Sequence, residues 1–303
     1  MVRVLVTGVN GYIGRAVVSG LSVAGYEPIA MVHTEGAEVE GAAEVRSADL
    51  LDPDSLRRAV DGTDAVCHLA GLARARDSVA EAPRYVRVNV GGTMNLLDAM
   101  DTVGVRRMVF ASTASIYGAS ECQPMHEELP AAPPHPYASS KLAAEIVIEA
   151  QAAGGRIAAV VARLSNVAGG ADSDPSRLVP RALTAAAEGT SLAVNGDGST
   201  ARDYLHLRDV ASAIVTCTEH LPDIGRLVRY NIGSGHGTKV TEVVAALERA
   251  TGQTLELEHR PPVSEPPILV VDPSKFMAET GWSAAWSGID QIMRDARSSG
   301  TTP

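Results

Sequence analysis

The chain has 303 residues, of which 45% are hydrophobic and 20% charged, a balance typical of a folded globular protein and not of a disordered or fibrous one. The formal net charge of -10 comes without a cluster of Lys and Arg, so the chain repels polyanions and we expect no nucleic-acid partner. Cys67, Cys122 and Cys217 are widely separated and lack metal-ligand spacing, so neither a disulfide framework nor a metal site is expected.

The start of the chain and its apolar runs bear on where the protein works. A strand pattern begins at Val2 without a basic and apolar leader before it. No run approaches the roughly 18 apolar residues that a membrane span needs. We therefore expect a soluble protein of a reducing compartment, the cytoplasm, with no membrane partner.

The first half of the chain alternates short apolar runs with helical patterns. Strands are predicted at Val2–Thr7, Pro28–Val32, Ala65–Leu69, Arg107–Ser112 and Ile157–Arg163. Helices are predicted at Gly14–Ala24, Ser55–Val60, Arg84–Met100 and Tyr137–Ala152. This alternation predicts an α/β fold with a doubly wound parallel sheet.

Beyond Asn166 the pattern changes to longer loops rich in Gly, Asp and Pro. Helices are predicted at Leu178–Glu188, Asp209–Glu219 and Thr241–Thr251, and the prolines between 261 and 267 predict a loop. The first 165 residues therefore form one predicted domain, and a smaller, mixed lobe follows from 166 to 303.

A glycine-rich turn lies between the first strand and the first helix. Gly8, Gly11 and Gly14 permit a tight turn, close backbone approach and close helix packing, and the helix N-terminus offers N–H groups to a pyrophosphate. The turn also contains Asn10, Tyr12 and Ile13. Glycine turns of this kind also occur for packing alone, but the strand before and the helix after favour dinucleotide binding.

The second strand ends on Val32-His33-Thr34, where a dinucleotide site usually has an acidic residue for the adenosine ribose. Without a carboxylate there, His33 or Thr34 could donate to a 2'-phosphate, which favours NADP over NAD. The alternative is that the ribose is held less tightly. Asp49 is a candidate partner for the adenine amino group, with Leu50 beside it, or else the cap of a helix that begins near Pro53.

Tyr137 and Lys141 are four residues apart on a predicted helix, so both side chains lie on one face. The chain has three Lys and seven Tyr residues, so this spacing is informative. An ammonium stabilises a nearby phenolate and makes the phenol a usable acid or base, although an exposed pair could also stack on a helix surface. Ser112 and Thr113 place hydroxyls at the carboxyl end of a predicted strand, where open parallel sheets bind ligands.

With these residues assembled, the chain resembles the extended short-chain dehydrogenase/reductase family, and within it the UDP-glucose 4-epimerase-like nucleotide-sugar enzymes. In the first half the matching segments are Thr7 to Gly14, His68-Leu69-Ala70-Gly71, Asn89 with Gly92-Thr93, Thr113 before Tyr117-Gly118, and Tyr137-Ala-Ser-Ser-Lys141. In the second lobe they are Arg163-Leu-Ser-Asn166, Arg202-Asp-Tyr-Leu-His206, Asp209-Val210 and Tyr230-Asn-Ile-Gly-Ser234-Gly235.

The resemblance implies a Rossmann sheet, a nucleotide-sugar substrate lobe from which residues 203–232 partly return to the first domain, and a homodimer formed through the helices at Arg84–Met100 and Tyr137–Ala152. It implies that Tyr137 is the acid/base, that Lys141 orients the nicotinamide ribose, and that Thr113 binds the sugar oxygen. It assigns substrate contacts to Asn166, Arg202 and Arg260. The implied cofactor residues are Gly8, Asn10, Gly11, Tyr12, Ile13, Gly14, His33, Asp49, Leu50, Leu69, Ala70, Gly71, Asn89, Ser112, Tyr137 and Lys141.

Two departures from the family limit the expected reaction. Ala114-Ser115 stands where the dehydratases carry Asp-Glu, which disfavours 4,6-dehydration, and Arg260-Pro-Pro-Val-Ser-Glu265 replaces an Arg-Pro-Gly-Asp segment. The resemblance implies hydride transfer at C4 of a nucleotide-linked hexose. The missing ribose carboxylate favours a 4-ketoreductase of a 4-keto-6-deoxy sugar with NADP; the alternatives are a 4-epimerase that retains NAD and a non-catalytic dinucleotide sensor.

Overall fold

The computed structural model describes residues 1–34, 36–263 and 265–300. The strands, in chain order, are β1 Arg3–Thr7, β2 Glu27–Val32, β3 Glu44–Ser47, β4 Ala65–His68, β5 Arg107–Thr113, β6 Ala158–Leu164, β7 Asn166–Ala168, β8 Leu192–Asn195, β9 Ala201–His206, β10 Leu227–Ile232, β11 Gly237–Lys239, β12 Leu257–Arg260 and β13 Ile268–Leu269. The helices are α1 Tyr12–Val23, α2 Pro53–Val60, α3 Ala75–Ala80, α4 Ala82–Tyr85, α5 Gly92–Val103, α6 Pro136–Ala153, α7 Leu178–Glu188, α8 Leu207–Glu219, α9 Val240–Thr251, α10 Ser274–Thr280 and α11 Ile289–Gly300.

The chain divides into two compact units and alternates between them. The first unit contains residues 1–118, 130–164 and 211–231, and the second contains 119–129, 165–210 and the chain from 232 onward. Residues 301–303 of the predicted second lobe lie outside the described residues. The assignment of a role to each lobe stays a prediction.

The first unit is built on a seven-stranded sheet in the order β10-β6-β5-β4-β1-β2-β3. From β3 to β6 each neighbouring pair is parallel, with Val4, for example, in register with Pro28 on one side and Ala65 on the other. The order reverses between β1 and β4, which is the switch point of a doubly wound sheet. The predicted α/β Rossmann fold is confirmed, and its ligand crevice is expected beside that switch point.

Burial explains why these segments form central strands. Val4, Leu5 and Val6 of β1 have no exposed surface, and neither does Val66 of β4. Strands covered by helices on both faces bury every side chain and so appear as continuous apolar runs. Helices α2, α5 and α6 contribute apolar side chains to one core with β1, β2, β4, β5 and β6.

The segment predicted as one helix from Arg84 to Met100 is less regular than its periodicity suggested. It consists of α4, a π-helical turn at Val86–Gly91, and then α5. A π-helical turn inserts an extra residue, so the side chains that follow it lie on a different side of the helix. Asn89 lies within this turn and is buried.

The second unit has a mixed sheet in the order β11-β9-β13, with β7 paired to β9, and a separate pair of strands, β12 and β8. β11 runs antiparallel to β9, whereas β7 and β13 run parallel to it. Its core includes Val194 from β8, Val243 and Leu247 from α9, and Ile292 from α11. The predicted helices at 178–188, 209–219 and 241–251 correspond to α7, α8 and α9, while most strands of this unit were not predicted.

Among the described residues, no helix is both long and apolar enough to cross a membrane. In the same part of the chain, no group of three or more His, Cys, Asp or Glu side chains is arranged to hold a metal ion.

Candidate active site

A cavity of about 390 Å³ opens at the carboxyl ends of β1, β2, β3 and β4 in the first unit. The predicted cofactor residues that line it are Gly8, Asn10, His33, Asp49, Leu50, Ala70 and Gly71. Its other lining residues are Val9, Met31, Val32, Ala48, Leu51, Leu72 and Val88. The sheet therefore gathers residues from four separate loops around one crevice, beside the topological switch point.

The glycine turn fits tightly into its surroundings. Gly8 has a positive φ of 77°, and a Cβ atom on it would lie 2.7 Å from the backbone nitrogen of Ala70. A Cβ atom on Gly14 would lie 2.2 Å from the carbonyl oxygen of Gly8. Glycine is therefore required at both positions, and the backbone can approach a ligand closely there.

Helix α1 begins immediately after this turn. Gly11 is its N-cap, and no described side chain caps it by a hydrogen bond. Its first turn contains no acidic residue. No acidic side chain therefore neutralises the positive end of the helix dipole, which can bind an anionic group such as the pyrophosphate of a dinucleotide.

Asp49 and His33 lie close together on the cavity wall. His33 Nδ1 is 3.9 Å from Asp49 Oδ2, and both side chains are exposed to solvent, at 74% and 46%. The alternative that Asp49 caps the helix near Pro53 is wrong, because Asp52 accepts the capping hydrogen bond from the Asp54 nitrogen. Asp49 instead accepts a 2.9 Å hydrogen bond from the Leu51 nitrogen. The second strand ends without an acidic residue, but the Asp49 carboxylate, from the loop after β3, lies near its end.

A buried hydrogen-bond network centred on His68 fixes the strand ends behind the cavity. His68 Nδ1 is 2.9 Å from the hydroxyl of Thr7, and Nε2 is 3.0 Å from the hydroxyl of Thr93. The backbone nitrogens of Leu69 and Ala70 donate to the Thr7 oxygen at 3.1 and 3.0 Å. Burial lowers the pKa of His68 to about 3, with a smaller contribution from the charge of Lys141, so the ring is neutral.

Asn89 joins the cavity wall to α6, the helix that carries Tyr137 and Lys141. Its Oδ1 accepts a 2.8 Å hydrogen bond from the Leu72 nitrogen, and its Nδ2 donates to the Leu72 carbonyl at 3.0 Å and to the Ser140 hydroxyl at 2.9 Å. Ser140 in turn donates to the carbonyl of Tyr137. Asn89 therefore acts on the cavity through its neighbours.

Lys141 is a buried ammonium beside this network. Its Nζ donates a 2.8 Å hydrogen bond to the carbonyl oxygen of Ala111 and lies 4.6 Å from the centre of the Phe110 ring. A Cβ atom built on Gly71 would be 3.7 Å from Nζ, so the ammonium adjoins a residue of the cavity wall. Burial lowers the pKa of Lys141 to about 8, and the charge of Glu145 opposes that shift.

Tyr137 lies in the first turn of α6, one helical turn before Lys141. Its ring stacks on that of His135 at 5.9 Å and meets the edge of Tyr85 at 6.5 Å. His135 also caps the helix, since its Nδ1 accepts from the Ala138 nitrogen. The phenol is half-buried and held by two rings.

Thr113 ends β5, and its hydroxyl accepts a 3.1 Å hydrogen bond from the Ser115 nitrogen. A hydroxyl that accepts a hydrogen bond keeps its own hydrogen, so Thr113 can also donate. Ser112 is buried and donates to Glu145. Of these two hydroxyls, that of Thr113 can therefore donate to a substrate, whereas that of Ser112 is bonded to Glu145 of α6.

The predicted substrate residues lie in the second unit and are not all in one sheet. Asn166 on β7 and Arg202 on β9 belong to paired strands, whereas Arg260 on β12 belongs to the separate two-stranded sheet. Arg202 donates to Glu265 at 2.8 Å. Ser264, within the loop expected to contact substrate, lies outside the described residues.

Sequence reasoning missed two kinds of residue around this site. Apolar residues of the cavity wall such as Leu72 and Val88 lie too far beyond the strand ends for a strand pattern to predict that they line the cavity. Among the buried polar supports, Glu145 belongs to no matched segment, whereas Thr7 and Thr93 lie in matched segments but were given no role. The signal that could have found them is the presence of polar residues at positions that the periodicity assigns to the core.

Comparison with known proteins gives a consistent result. The sequence profile of the NAD dependent epimerase/dehydratase family matches residues 4–233. The UDP-glucose 4-epimerase of Streptomyces lividans is 35% identical over 313 residues, which covers 97% of this chain and 94% of that protein.

Solved structures agree over nearly the same length. The crystal structure of UDP-glucose 4-epimerase from Brucella ovis in complex with NAD matches with a TM-score of 0.92 and 31% identity, covering 98% of each chain. UDP-glucose-4-epimerase from Stenotrophomonas maltophila, with bound NAD and formylated UDP-arabinopyranose, matches with a TM-score of 0.91 and 28% identity, covering 99% of this chain and 98% of that one.

Proposed function

Because the chain belongs to the NAD-dependent epimerase/dehydratase family, we propose that it is a nucleotide-sugar 4-epimerase that uses NAD. The observation that carries the proposal is the 35% identity to a UDP-glucose 4-epimerase over 97% of the chain. The sequence pattern alone favoured a 4-ketoreductase, but the relatives and solved structures support the epimerase alternative better. The non-catalytic alternative is disfavoured because the chain keeps Tyr137, Lys141 and Thr113.

The cavity of the first unit suits a dinucleotide. The close approach of the turn at Gly8 and Gly14 and the N-terminus of α1 fit a pyrophosphate. The Asp49 carboxylate, predicted to meet the adenine amino group, lies 3.9 Å from His33, and its negative charge would repel a 2'-phosphate bound beside His33. This charge favours NAD over NADP.

In the proposed reaction NAD would supply the acceptor and donor of the C4 hydride, and the glycine turn at Gly8 and Gly14 together with Lys141 would hold it. Tyr137 takes the proton of the C4 hydroxyl as the hydride leaves and gives it back as the hydride returns. Lys141 favours the phenolate by its positive charge and orients the nicotinamide ribose. Thr113 donates a hydrogen bond to the C4 oxygen.

The remaining polar residues would hold the cofactor and the nucleotide of the substrate. Asn166 and Arg202 are the proposed nucleotide-sugar contacts in the second unit, since a guanidinium presents several donors to phosphate oxygens. Glu265 now occupies one of the Arg202 donors, so binding of a phosphate there would have to displace it. Arg260 pairs at 3.4 Å with Glu258 on an exposed strand and is the weaker candidate.

We also propose a homodimer formed through α5 and α6, and a cytoplasmic location. The three cysteines, Cys67, Cys122 and Cys217, are free thiols, as a reducing compartment requires.

The test is to incubate the purified protein with UDP-glucose and no added cofactor. We expect its C4 epimer to form, and NAD to be released when the protein is denatured. NADPH-dependent reduction of a nucleotide-linked 4-keto-6-deoxy sugar, without epimerisation, would support the reductase instead. Dinucleotide binding without either reaction would support the sensor.

A further inference from the structure

Glu145 is a fully buried residue of α6, one helical turn beyond Lys141. Side chains four residues apart on a helix lie on the same face. An ionised carboxylate is stable in a protein interior only where cations and hydrogen-bond donors replace the water that it has lost. The partners of Glu145 therefore indicate its role.

These partners come from three strands of the first unit. Arg163 on β6 donates to Glu145 from Nη2 at 2.7 Å and from Nε at 3.2 Å. Arg229 on β10 lies at 3.4 Å, and the hydroxyl of Ser112 on β5 donates to Oε1. Arg163 also donates to the hydroxyl of Tyr117 at 2.8 Å. The carboxylate is thus the centre of a buried charged network.

Glu145 and Lys141 hold consecutive residues at the carboxyl end of β5. Lys141 donates to the carbonyl of Ala111, and Glu145 accepts from the side chain of the next residue, Ser112. Thr113, the proposed hydrogen-bond donor to substrate, follows directly. Two side chains of α6 therefore fix the strand end on which Thr113 lies.

The same carboxylate acts on the charge of Lys141. Burial lowers the pKa of Lys141 to about 8, and the negative charge of Glu145 opposes this shift. The neutral ring of His68 from β4, the Phe110 ring and the Ala111 carbonyl from β5 also lie around the ammonium. An ammonium in such surroundings needs a counter-charge to stay protonated.

We propose that Glu145 is a positioning residue of the reactive centre, which keeps Lys141 protonated and holds the end of β5 against α6. This inference rests on the proposed function for its catalytic meaning. Its electrostatic part can be measured without any substrate.

The experiment uses the small number of lysines in the chain. With lysine labelled at its ε-carbon, NMR follows the titration of Lys141, while Lys239 and Lys275 serve as internal references. The Lys141→Arg variant assigns the signal. Glu145→Gln removes the charge with little change of shape, and we expect the midpoint of Lys141 to fall by roughly one pH unit.

The matched control is Glu149→Gln, one turn further along α6. Glu149 pairs with Arg229 at 2.8 Å but is half exposed, so removal of its charge should leave the Lys141 midpoint unchanged. If Glu145→Gln does not fold, Glu145→Asp moves the carboxylate back by one methylene group. We then expect a smaller fall of the Lys141 midpoint. A Lys141 midpoint equal to that of the wild type in either folded variant overturns the proposal.

The pH profile of turnover distinguishes this proposal from the function on which it rests. In Glu145→Gln the loss of turnover at basic pH should begin at a lower pH than in the wild type, and a merely structural residue would lower turnover without moving the profile. A shifted NMR midpoint in a protein that turns over no nucleotide sugar would contradict the proposed function and leave the electrostatic role of Glu145 standing.

Discussion

The hydroxyl oxygen of Thr7 lies 2.9 Å from Nδ1 of His68, at the carboxyl ends of the neighbouring strands β1 and β4. Thr93 donates its hydroxyl hydrogen to the carbonyl of Asn89 at 2.6 Å, so it can only accept from His68 Nε2. Nε2 therefore carries the proton, and Nδ1 accepts from Thr7. One neutral tautomer of a buried imidazole thus joins the glycine turn to the segment that carries Asn89.

Because this tautomer is neutral, stability should depend on pH through His68. Its pKa falls from 6.5 to about 3 on folding, so between these values the unfolded chain binds the extra proton. The stabilisation is complete above pH 6.5 and is lost as pH falls, at about 1.4 kcal/mol per pH unit. Urea unfolding at several pH values should show a shallower dependence in His68→Gln than in the wild type.

His220→Gln is the control for this titration, since the His220 side chain is exposed to solvent. His135 and His206 also have lowered pKa values caused chiefly by burial, and they remain in every variant. Identical slopes in the wild type and in His68→Gln would show that His68 is protonated in the folded protein.

Gly14→Ala should abolish dinucleotide binding, because the added Cβ would lie 2.2 Å from the carbonyl of Gly8 and force the turn apart. Gly20→Ala on the same helix is the matched control, since its Cβ would meet Val215 at an ordinary 3.4 Å. A Gly-to-Ala change inside a helix is expected to stabilise by about 0.5–1 kcal/mol. Calorimetric titration with NAD separates the two variants; equal affinities would show that the turn does not contact the cofactor.

The five central strands of the sheet and the glycine turn were predictable from sequence because both depend on local signals, whereas the edge strands β3 and β10 were not predicted. β1 is a continuous apolar run, and the turn needs glycines at fixed offsets, so each is visible in a few residues. The support of the site was not predictable, because Glu145 is polar at a buried helical position and its partners Arg163 and Ser112 come from strands far along the chain. The π-helical turn around Asn89 was not predictable either, because the apolar periodicity of the sequence does not reveal it.

Asp49→Asn should weaken NAD binding by about tenfold and raise the relative affinity for NADP, since it removes a carboxylate that would accept from the adenine amino group and repel a 2'-phosphate beside His33. Both affinities can be measured by quenching of protein fluorescence. Asp54→Asn changes an exposed carboxylate paired with Arg57 and should alter neither affinity. An unchanged ratio of the two affinities in Asp49→Asn would place the ribose away from Asp49.

Tyr137→Phe should reduce turnover by a factor on the order of 10² or more, while NAD affinity stays near that of the wild type, because the phenol acts on the substrate proton. The control is Tyr26→Phe, which removes the hydroxyl of another partly exposed tyrosine. Turnover is measured as interconversion of the two C4 epimers. Full activity in Tyr137→Phe would remove the phenol from the proposed chemistry.

The proposed dimer can be tested at the exposed apolar residues of the helices that would form it. Met94 on α5 and Ile146 on α6 are 48% and 57% exposed, and Val86 between α4 and α5 is 53% exposed. A charge placed in an apolar interface is costly because it loses its water without gaining a partner. Ile146→Glu should therefore raise the dimer dissociation constant by at least about tenfold in sedimentation velocity. Val23→Glu, at an 87% exposed position of α1, should leave the dimer intact, and a wild-type protein that sediments as a monomer at assay concentration would contradict the dimer altogether.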